Sequence, residues 1–458
     1  MAERIETEVL IAGGGMVGLT LATALAEAGV AVVAVDRLDP AAMREDAFDG
    51  RASAIARGSQ QALAVTGLWR DMAATASPIL DIRISDGAPF GGATAVARRG
   101  GASALHLHFS HSDVASQAGV ASQAGVASQA GVGRKAGAGS GGREAPPLGH
   151  IVENTAIRRA CLARAAELDR LDLRAPAELG RVDRGPNGVT ARLGDGTEVA
   201  ARLLVAADGR GSAQRRAAGI RITEVGYSQT GIVATVAHER PHHGVAHEHF
   251  LPAGPFALLP MNDAEDETGR SVHRSSLVWT ERRDLAPAML ALDRARFAAE
   301  MQRRFGDSLG RLSLWSARTW SYPLSLLHAE RMIDQRLALV GDAAHGIHPV
   351  AGQGLNLGLR DVAALAESIV DARRLGLDIG SPQVLERYQR WRRFDTLALI
   401  AATDSLNRLF SNDLPPVRLL RDLGLAAVNR MPPLKRFFMR HAMGLVGELP
   451  RLLKGEAL

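Results

Sequence analysis

The stretch that decides the fold is residues 7–36, TEVLIAGGGMVGLTLATALAEAGVAVVAVD. It opens with a short apolar strand and continues through a glycine cluster into a helical pattern that ends at Ala28. It closes with a second apolar strand over Val30–Val35. Apolar runs of these lengths, bounded by glycines, predict a strand, a helix and a second strand. We therefore expect an α/β fold that opens with a Rossmann-like βαβ unit.

Gly13, Gly15 and Gly18 have the spacing of a dinucleotide-binding turn. Gly13 permits the tight turn, Gly15 lets the backbone approach a pyrophosphate, and Gly18 lets the helix pack against the strand. The N-terminus of the helix then offers N–H groups to the phosphates. A carboxylate at Asp36 can accept both ribose hydroxyls and would repel a 2′-phosphate. The pattern predicts FAD or NAD rather than NADP, and a glycine turn without a nucleotide is the alternative.

Two later motifs follow strands in the same way. LLVAADGRGSAQR contains Asp208 at the end of a strand, which suits a loop crossing near the dinucleotide, although such turns are common. RLALVGDAAHGIHPVAGQGLNLGLRDV places Asp342 where its carboxylate can accept hydrogen bonds from ribityl hydroxyls. A helix beginning near Gln353 would point its positive end at the negative charge of a reduced flavin.

The three motifs, in this order, resemble those of the class A flavoprotein monooxygenases. HPVAGQGLNLGLRDV is similar to the signature of the ubiquinone-biosynthesis hydroxylases within that class. Four further stretches match the same family, namely DGRA at 49–52, ILDIRISDG at 79–87, LGHIVENTAIRRA at 148–160 and FLPAGPFALLP at 250–260. The resemblance covers nearly the whole chain except about 110–147.

The resemblance implies a set of FAD-binding residues: Gly13, Gly15, Met16, Val17, Gly18, Asp36, Arg51, Asn154, Arg158, Asp208, Asp342, Gly352, Gly354, Leu355 and Asn356. The candidates beside the flavin ring are His348, Pro349 and Gly352, and none is assigned a catalytic step. Arg51 is equally compatible with a surface ion pair. His345 and His348 are equally compatible with loop packing.

The activity implied is hydroxylation of the aromatic ring of a polyprenylated phenol in ubiquinone biosynthesis. NAD(P)H and O₂ would be co-substrates, and the oxygen would be transferred through a flavin C4a-hydroperoxide. Tyr227, Tyr322 and several histidines are available as a general base, and the sequence does not choose between them. The alternatives are a class A hydroxylase of a soluble phenolic compound and a non-catalytic FAD-binding scaffold of a biosynthetic complex.

The order of strands and helices predicts a discontinuous arrangement of domains. An FAD-binding domain of the para-hydroxybenzoate-hydroxylase type is expected over 1–75, 148–220 and 325–375, interrupted by a β-rich substrate domain over 76–109 and 221–324. Residues 110–147 include three copies of VASQAG and are expected to form a flexible low-complexity insertion. Residues 376–458 are expected to be helical, with a helix from Ser381-Pro382 to about Phe410.

Composition excludes several classes of protein. The 458 residues carry a net charge of +5, but the arginines are spread along the chain and no nucleic-acid-binding module is present. The single cysteine, Cys161, excludes an intrachain disulfide and a zinc cluster, and we predict no metal site. The chain has no run of about 18 apolar residues and no apolar signal core, so a cytoplasmic protein is expected.

The C-terminal stretch PPLKRFFMRHAMGLVGELPRLLK mixes basic and apolar residues. A peripheral contact with the inner face of the cytoplasmic membrane and an ordinary packed helix explain it equally well. The resemblance also implies a lipid substrate of the polyprenylphenol type and a multi-enzyme ubiquinone-biosynthesis assembly.

Overall fold

The computed structural model describes residues 3–45, 49–87, 102–113, 145–316, 318–347, 352–410, 431, 443–445 and 447–458. The candidates His348 and Pro349, the VASQAG repeats and most of the basic-apolar C-terminal stretch lie outside the described residues.

A six-stranded sheet forms the centre of the half that the sequence predicts to bind the nucleotide, called the nucleotide-binding half below. Its order is β20-β21-β13-β2-β3-β9, in which every neighbouring pair is parallel except β20 with β21. The strands are β2 (Val9–Ala12), β3 (Val32–Val35), β9 (Leu171–Arg174), β13 (Leu203–Ala206), β20 (Ile333–Asp334) and β21 (Leu337–Leu339). Four of these strands are buried along their whole length, as continuous apolar runs in parallel sheets are.

Three long helices cover this sheet and contribute to one continuous hydrophobic core. They are α1 (Met16–Glu27), α5 (Asn154–Glu167) and α9 (Gln353–Arg374). The expected helix near Gln353 is therefore confirmed, and it is buried along most of its length. The shorter helices before α5 are α2 (Pro40–Met43), α3 (Arg57–Val65) and α4 (Trp69–Met72).

A large, mostly antiparallel sheet forms the second half. Its order is β22-β19-β14-β17-β16-β15-β6-β7, with β18 paired to β14. The strands are β6 (Asp81–Gly87), β7 (Ala102–Ser110), β14 (Ile222–His238), β15 (Val245–Leu251), β16 (Gly254–Glu265), β17 (Ser271–Arg282), β18 (Leu312–Leu314), β19 (Trp320–Ala329) and β22 (His345–Gly346). The predicted α/β fold, with a β-rich sheet interrupting the nucleotide-binding sheet, is confirmed.

One face of this large sheet is covered by α8 (Arg294–Phe305), whose Phe297, Met301 and Phe305 are buried against it. The ring of Trp279 lies 5.3 Å from that of Phe297, between centroids. Two shorter helices in this part of the chain are α6 (Ala213–Ala217) and α7 (Ala286–Leu290), and Ala286 of α7 is buried in the same cluster as α8. Because α8 fills this face, the opposite face is the one turned toward the nucleotide-binding half.

Two small sheets complete the architecture. The order β4-β8-β5 consists of β4 (Ala52–Ala56), β5 (Ser77–Ile79) and β8 (Gly149–Glu153). The order β1-β12-β11-β10 consists of β1 (Arg4–Glu6), β10 (Leu179–Arg184), β11 (Val189–Leu193) and β12 (Glu198–Ala201). Strand β4 contacts α9, which places the three-stranded sheet beside the candidate site.

The C-terminal region contains α10 (Pro382–Phe410) and α11 (Arg451–Lys454), so the predicted helix from Pro382 is confirmed. Leu452 and Leu453 of α11 are buried in the main core. The Trp391 indole donates to the carbonyl oxygen of Glu448 at 2.7 Å. This end of the basic-apolar stretch is therefore a packed helix. No helix among the described residues combines the length and apolar character needed to cross a membrane.

Candidate active site

The turn between β2 and α1 is packed on one side and open on the other. Gly13 has a φ of +108°, and a Cβ there would lie 2.4 Å from the carbonyl oxygen of Ala207. A Cβ at Gly18 would lie 2.0 Å from the carbonyl oxygen of Gly13. A Cβ at Gly15, in contrast, would meet no atom within 4 Å. The open side of the turn is therefore at Gly15.

Helix α1 begins at this open side without a capping side chain and without an acidic residue in its first turn. The first N–H groups of a helix have no partner inside the helix, so they attract an anion. Met16 and Val17 form the first turn, and a Cβ at Gly358 of α9 would lie 2.8 Å from Val17. Val17 thus connects the nucleotide turn to α9 by direct packing.

Asp36 lies at the end of β3, beside the same turn. Its carboxylate accepts hydrogen bonds from the backbone N–H groups of Gly14 at 2.6 Å and Leu38 at 2.8 Å. These bonds fix the carboxylate beside the open turn.

Asp49 is the centre of a buried cluster between β4 and α5. Its carboxylate accepts hydrogen bonds from the Arg51 guanidinium at 2.9 Å, from the Asn154 amide at 3.1 Å and from the Arg158 guanidinium at 3.1 Å. The Asn154 amide oxygen also accepts a hydrogen bond from Ser53 at 2.6 Å. Three of the predicted cofactor residues are therefore brought together by a fourth residue, which the sequence reasoning quoted but gave no role.

Charge determines the ionisation of this cluster. Burial acts to raise the pKa of Asp49, but hydrogen bonds and the positive charge of Arg51 outweigh it and lower that pKa to about 2. Burial acts to lower the pKa of Arg51, and Asp49 reverses the effect, so the pKa is raised. The charges of Tyr322 and Asp342 contribute to the same rise. Arg51 lies 4.8 Å from the centre of the Tyr322 ring on β19, and its charge interacts with Asp342 as well as with Asp49.

Asp208 lies two residues after β13, and its carboxylate is hydrogen-bonded to the backbone at the start of α6. Its carboxylate accepts hydrogen bonds from the backbone N–H groups of Ala213 at 2.8 Å and Gln214 at 3.3 Å, so it caps α6. Its backbone nitrogen would lie 2.9 Å from a Cβ at Gly13. The loop therefore passes beside the nucleotide turn, while the side chain has a capping role.

The loop that follows β21 carries Asp342 on a 3-10 turn, Gly341–Ala343, and the Asp342 side chain is exposed. The buried carboxylate of Asp361 on α9 binds this loop. It accepts a hydrogen bond from the backbone N–H of Gly341 at 2.9 Å and contacts the His345 ring nitrogen at 2.6 Å. His345 is itself buried, which makes it a packing residue of the loop.

The same Asp361 carboxylate binds the Arg392 guanidinium of α10 at 2.8 Å. Burial acts to raise the pKa of Asp361, but His345 and Arg392 lower it. Arg392 also pairs with Asp395, which Arg360 contacts at 2.5 Å. A buried chain of alternating charges therefore joins the Asp342 loop to α9 and α10.

The N-terminus of α9 is a second bare helix end. Gly352 precedes it with a φ of +61°, and a Cβ at Gly354 would meet no atom within 4 Å. The helix has no capping side chain and no acidic residue in its first turn, and Leu355 packs against the core. The Asn356 amide donates to the carbonyl oxygens of Ala54 at 2.7 Å and Gly352 at 3.2 Å. Both N–H groups of Asn356 are thus used within the protein, so the side chain holds the loop against β4.

An apolar cavity lies between this helix end and the free face of the large sheet. Its lining includes Ile79, Ile82, Phe109, Leu148, Leu259 and Met443. It also includes Gly352, Gln353 and Glu248. The cavity therefore has an apolar wall and one end formed by the backbone at the start of α9.

The histidines of β15 lie on the opposite face of the large sheet. The rings of His247 and His249 contact the Phe305 ring at 5.4 Å and 5.2 Å between centroids. Burial lowers the pKa of His247 to about 3 and that of His249 to about 4, so both are neutral at neutral pH. His247 also borders the cavity, but both rings pack against Phe305.

Two positions in this site were missed by sequence reasoning. Both stand within the quoted motifs: Asp49 binds three residues that were assigned to the cofactor, and Asp361 binds the loop that carries Asp342. The sequence did carry a signal for both positions, since each is an acidic residue in a segment that is otherwise expected to be buried. A buried charge requires partners, so such a residue is expected to bind other polar groups. Within the described residues, no group of three histidine, cysteine, aspartate or glutamate side chains is placed to hold a metal ion.

Comparison with known proteins agrees with this geometry. The family described as FAD binding domain matches residues 6–400. The chain is 49% identical over 454 residues to ubiquinone hydroxylase UbiL of Rhodospirillum rubrum, covering 98% of this chain and 93% of that protein. It is 32% identical over 441 residues to the 3-demethoxyubiquinol 3-hydroxylase of Escherichia coli, covering 96% of this chain and 99% of that protein.

The fold agrees with solved structures. The p-nitrophenol 4-monooxygenase PnpA of Pseudomonas putida superposes with a TM-score of 0.74 at 20% identity, covering 97% of this chain and 99% of that one. The chain belongs to the class A FAD-dependent monooxygenases, in the family of the ubiquinone-biosynthesis hydroxylases. The predictions of the family, of a monooxygenase and of FAD as its cofactor are confirmed.

Proposed function

We propose that this protein hydroxylates the aromatic ring of a polyprenylated phenol in ubiquinone biosynthesis. The observation that carries the proposal is its similarity, over almost its whole length, to two hydroxylases named for ubiquinone or its precursor. The reaction would consume one ring C–H, O₂, NAD(P)H and a proton. It would give the ring C–OH, water and NAD(P)⁺, which balances in atoms and electrons.

The described residues fit FAD. The open space at Gly15 and Gly354 lies at two bare helix ends, where backbone N–H groups favour an anionic group. Asp36 lies beside the first of these ends, and Asp342 is exposed on the turn that precedes the second end in the chain. We assign the AMP half to the turn at Gly13–Gly18 with Asp36, and the ribityl chain to Asp342.

Bound FAD supplies the redox chemistry that activates oxygen for transfer to the ring. The chain's own residues bind and orient it. Arg51 adds positive charge on the side of the Asp342 loop, while Asp49 with Asn154 and Arg158 fixes Arg51 in place. Asn356 holds the α9 end against β4, and the apolar cavity keeps water away from the reacting ring.

We also assign the two sheets to two functions. The parallel sheet, with segments 1–75, 148–220 and 325–375, would form the FAD-binding domain. The large antiparallel sheet, with segments 76–109 and 221–324, would roof the flavin and bind the phenol. The apolar cavity between the free face of the large sheet and α9 supports this division.

Gly15→Ala tests the cofactor assignment. Because a Cβ at Gly15 meets no protein atom, the substitution leaves the apoprotein's unfolding temperature unchanged. It should lower FAD affinity at least tenfold, since the methyl group takes the space of the pyrophosphate. Gly194→Ala, in an exposed turn of the four-stranded sheet, is the matched control and keeps full affinity. Equal affinities in a fluorescence titration would place the pyrophosphate elsewhere.

Mass spectrometry of lipid extracts from cells lacking this chain tests the whole proposal. Ubiquinone should fall, and a prenylphenol short of one oxygen should accumulate. An unchanged quinone pool in cells without a backup enzyme would refute the assignment. Purified protein separates the alternatives: turnover of a small phenol without a prenyl chain favours a soluble substrate, and bound FAD without NAD(P)H oxidation favours a scaffold.

We further propose that α10 contacts the membrane from which a lipid substrate would come. Phe394 is 82% exposed, and the exposed Arg390 and Arg393 lie beside it on the helix. An aromatic ring among cations suits an anionic bilayer surface. Deletion from about residue 432 is a poor test, because it would also remove Leu452 and Leu453 from the core.

Phe394→Ser should instead reduce flotation with vesicles containing anionic lipid while FAD content stays the same. Leu375→Ser, at the exposed C-terminal end of α9, is the control and should float like the wild type. Equal flotation of both variants would contradict a contact through α10. Co-purification of other ubiquinone-pathway enzymes with the tagged protein would support a multi-enzyme assembly.

A further inference from the structure

The apolar cavity contains one acidic side chain whose direction is determined by the sheet. Side chains alternate between the two faces of a strand, so Glu248 of β15 shares a face with Ala246, two residues away. Ala246 belongs to the hydrophobic cluster of the cavity side, and His247 and His249 contact Phe305 on the other side. The Glu248 side chain therefore faces the cavity.

The neighbouring strands agree with this direction. Glu248 is paired with Ala257 on β16 and with Ile84 on β6. Ala257 lines the cavity, and Ile84 packs against the cluster on that face. Glu248 is 8% exposed, so its carboxylate lies within the protein at the wall of the cavity. The start of α9 forms another part of the same lining.

We propose that the Glu248 carboxylate accepts a hydrogen bond from the hydroxyl group of a phenolic ring bound in this cavity. This role rests on the proposed function, since it requires a phenol as substrate. A carboxylate is an acceptor with about four lone-pair sites, so it binds a phenol O–H in addition to donors of the protein. A hydrogen bond to a charged acceptor inside a protein is stronger than one between neutral groups.

The contact has two chemical consequences. It orients the ring, because the hydroxyl is fixed at one wall while the apolar side chains surround the carbons. It also draws the O–H proton toward Glu248, which increases electron density at the ring carbons ortho and para to the oxygen. These are the carbons at which an electrophilic oxygen donor reacts. The proton remains with the phenol oxygen in the product, so no further reactant is needed.

A pair of ring compounds that differ by one methyl group tests the contact. 2-Methoxyphenol carries the hydroxyl, and 1,2-dimethoxybenzene has it capped. Each is titrated into the full-length, FAD-loaded protein while the visible absorbance of the flavin is followed. The wild type should bind the phenol about tenfold or more tightly than the capped ring, in line with one charge-assisted hydrogen bond.

Glu248→Gln should reduce this preference severalfold, and Glu248→Met should abolish it. Neither should change the affinity for the capped ring or the FAD content. Glu265→Gln is the control, because Glu265 lies exposed at the far end of β16 and should preserve the wild-type preference. A preference retained in both Glu248 variants would refute the inference while leaving the proposed function intact.

Failure of the proposed function has a different signature. If the wild type binds neither ring, with or without a short prenyl tail on each, the phenol substrate itself is wrong. If a Glu248 variant loses FAD or folds poorly, a series of phenols bound to the wild type still tests the role of Glu248. With a carboxylate acceptor, affinity for para-substituted phenols should increase with the acidity of their hydroxyl, and a flat series would overturn the role of Glu248.

Discussion

Removing the Asp49 charge by Asp49→Asn should destabilise the protein by about 3–5 kcal/mol, because it removes a buried carboxylate charge that is paired with the Arg51 and Arg158 guanidinium groups. The side chains of Asp49 and Arg158 are 4% and 8% exposed, and their charged atoms are 3.1 Å apart. The asparagine keeps the size of the side chain and one acceptor oxygen. The loss therefore reports the charge rather than a cavity.

The pH dependence of stability gives an independent magnitude. The pKa of Asp49 is lowered from 3.8 to about 2 in the folded protein, which corresponds to about 2 kcal/mol of stability. Because the folded value is the lower one, this contribution is fully present above pH 3.8. It is lost as the pH falls toward 2. The variant should show a correspondingly flatter loss of stability over that interval.

Urea unfolding of the apoprotein measures both effects without the stabilisation that bound FAD adds. Asp183→Asn is the matched control, since Asp183 pairs with Arg181 at 2.8 Å in the same two-residue spacing on an exposed strand. It should behave like the wild type. If the free energy of unfolding of Asp49→Asn lies within about 1 kcal/mol of the wild-type value, well below the expected loss, the cluster does not depend on the carboxylate charge.

Three further substitutions probe the scaffold of the site. Asp361→Asn should cost about 3–5 kcal/mol, because Arg392 loses the more deeply buried of its two carboxylate partners and keeps only Asp395, and calorimetry with and without FAD will show whether the Asp342 loop loosens with it. Gly18→Ala should abolish soluble expression or lower the unfolding temperature of the apoprotein, since its Cβ would lie 2.0 Å from a backbone oxygen. Tyr388→Phe removes the 2.7 Å bond from its hydroxyl to the Leu339 carbonyl oxygen and should cost about 1 kcal/mol in urea unfolding, with FAD affinity unchanged.

The sequence predicted most of the nucleotide-binding half, because that half is encoded locally. The strand, turn and helix of 7–36 are consecutive. The helices that begin at Gln353 and Pro382 start at the residues where the local sequence predicts a helix N-terminus. Glycines that must approach other backbone are visible in a sequence for the same reason. Gly13 and Gly18 belong to one turn, and the contact of Gly18 with the Gly13 carbonyl oxygen arises within it, whereas the close approach of Gly13 to Ala207 does not.

Relations between distant segments could not be predicted in this way. The direction of Glu248 depends on the register of β15 with β6, and those strands are separated by more than a hundred residues. The partners of Asp49 and Asp361 likewise come from helices that the sequence does not place in space.

The hydrogen bonds between the Asn356 amide and the backbone of β4 also limit how early this part of the site can form during synthesis. The backbone N–H of Ala56 donates to the Asn356 oxygen at 2.9 Å across 300 positions of the chain. At a synthesis rate of roughly 5–20 residues per second, the amide leaves the ribosome roughly 15–60 s after its partner. During that interval the β4 backbone has been synthesised, but the Asn356 amide to which it will be hydrogen-bonded has not. The proposed cofactor site is therefore completed late in translation, and a nascent chain can fold its N-terminal βαβ unit long before it is able to enclose the whole cofactor.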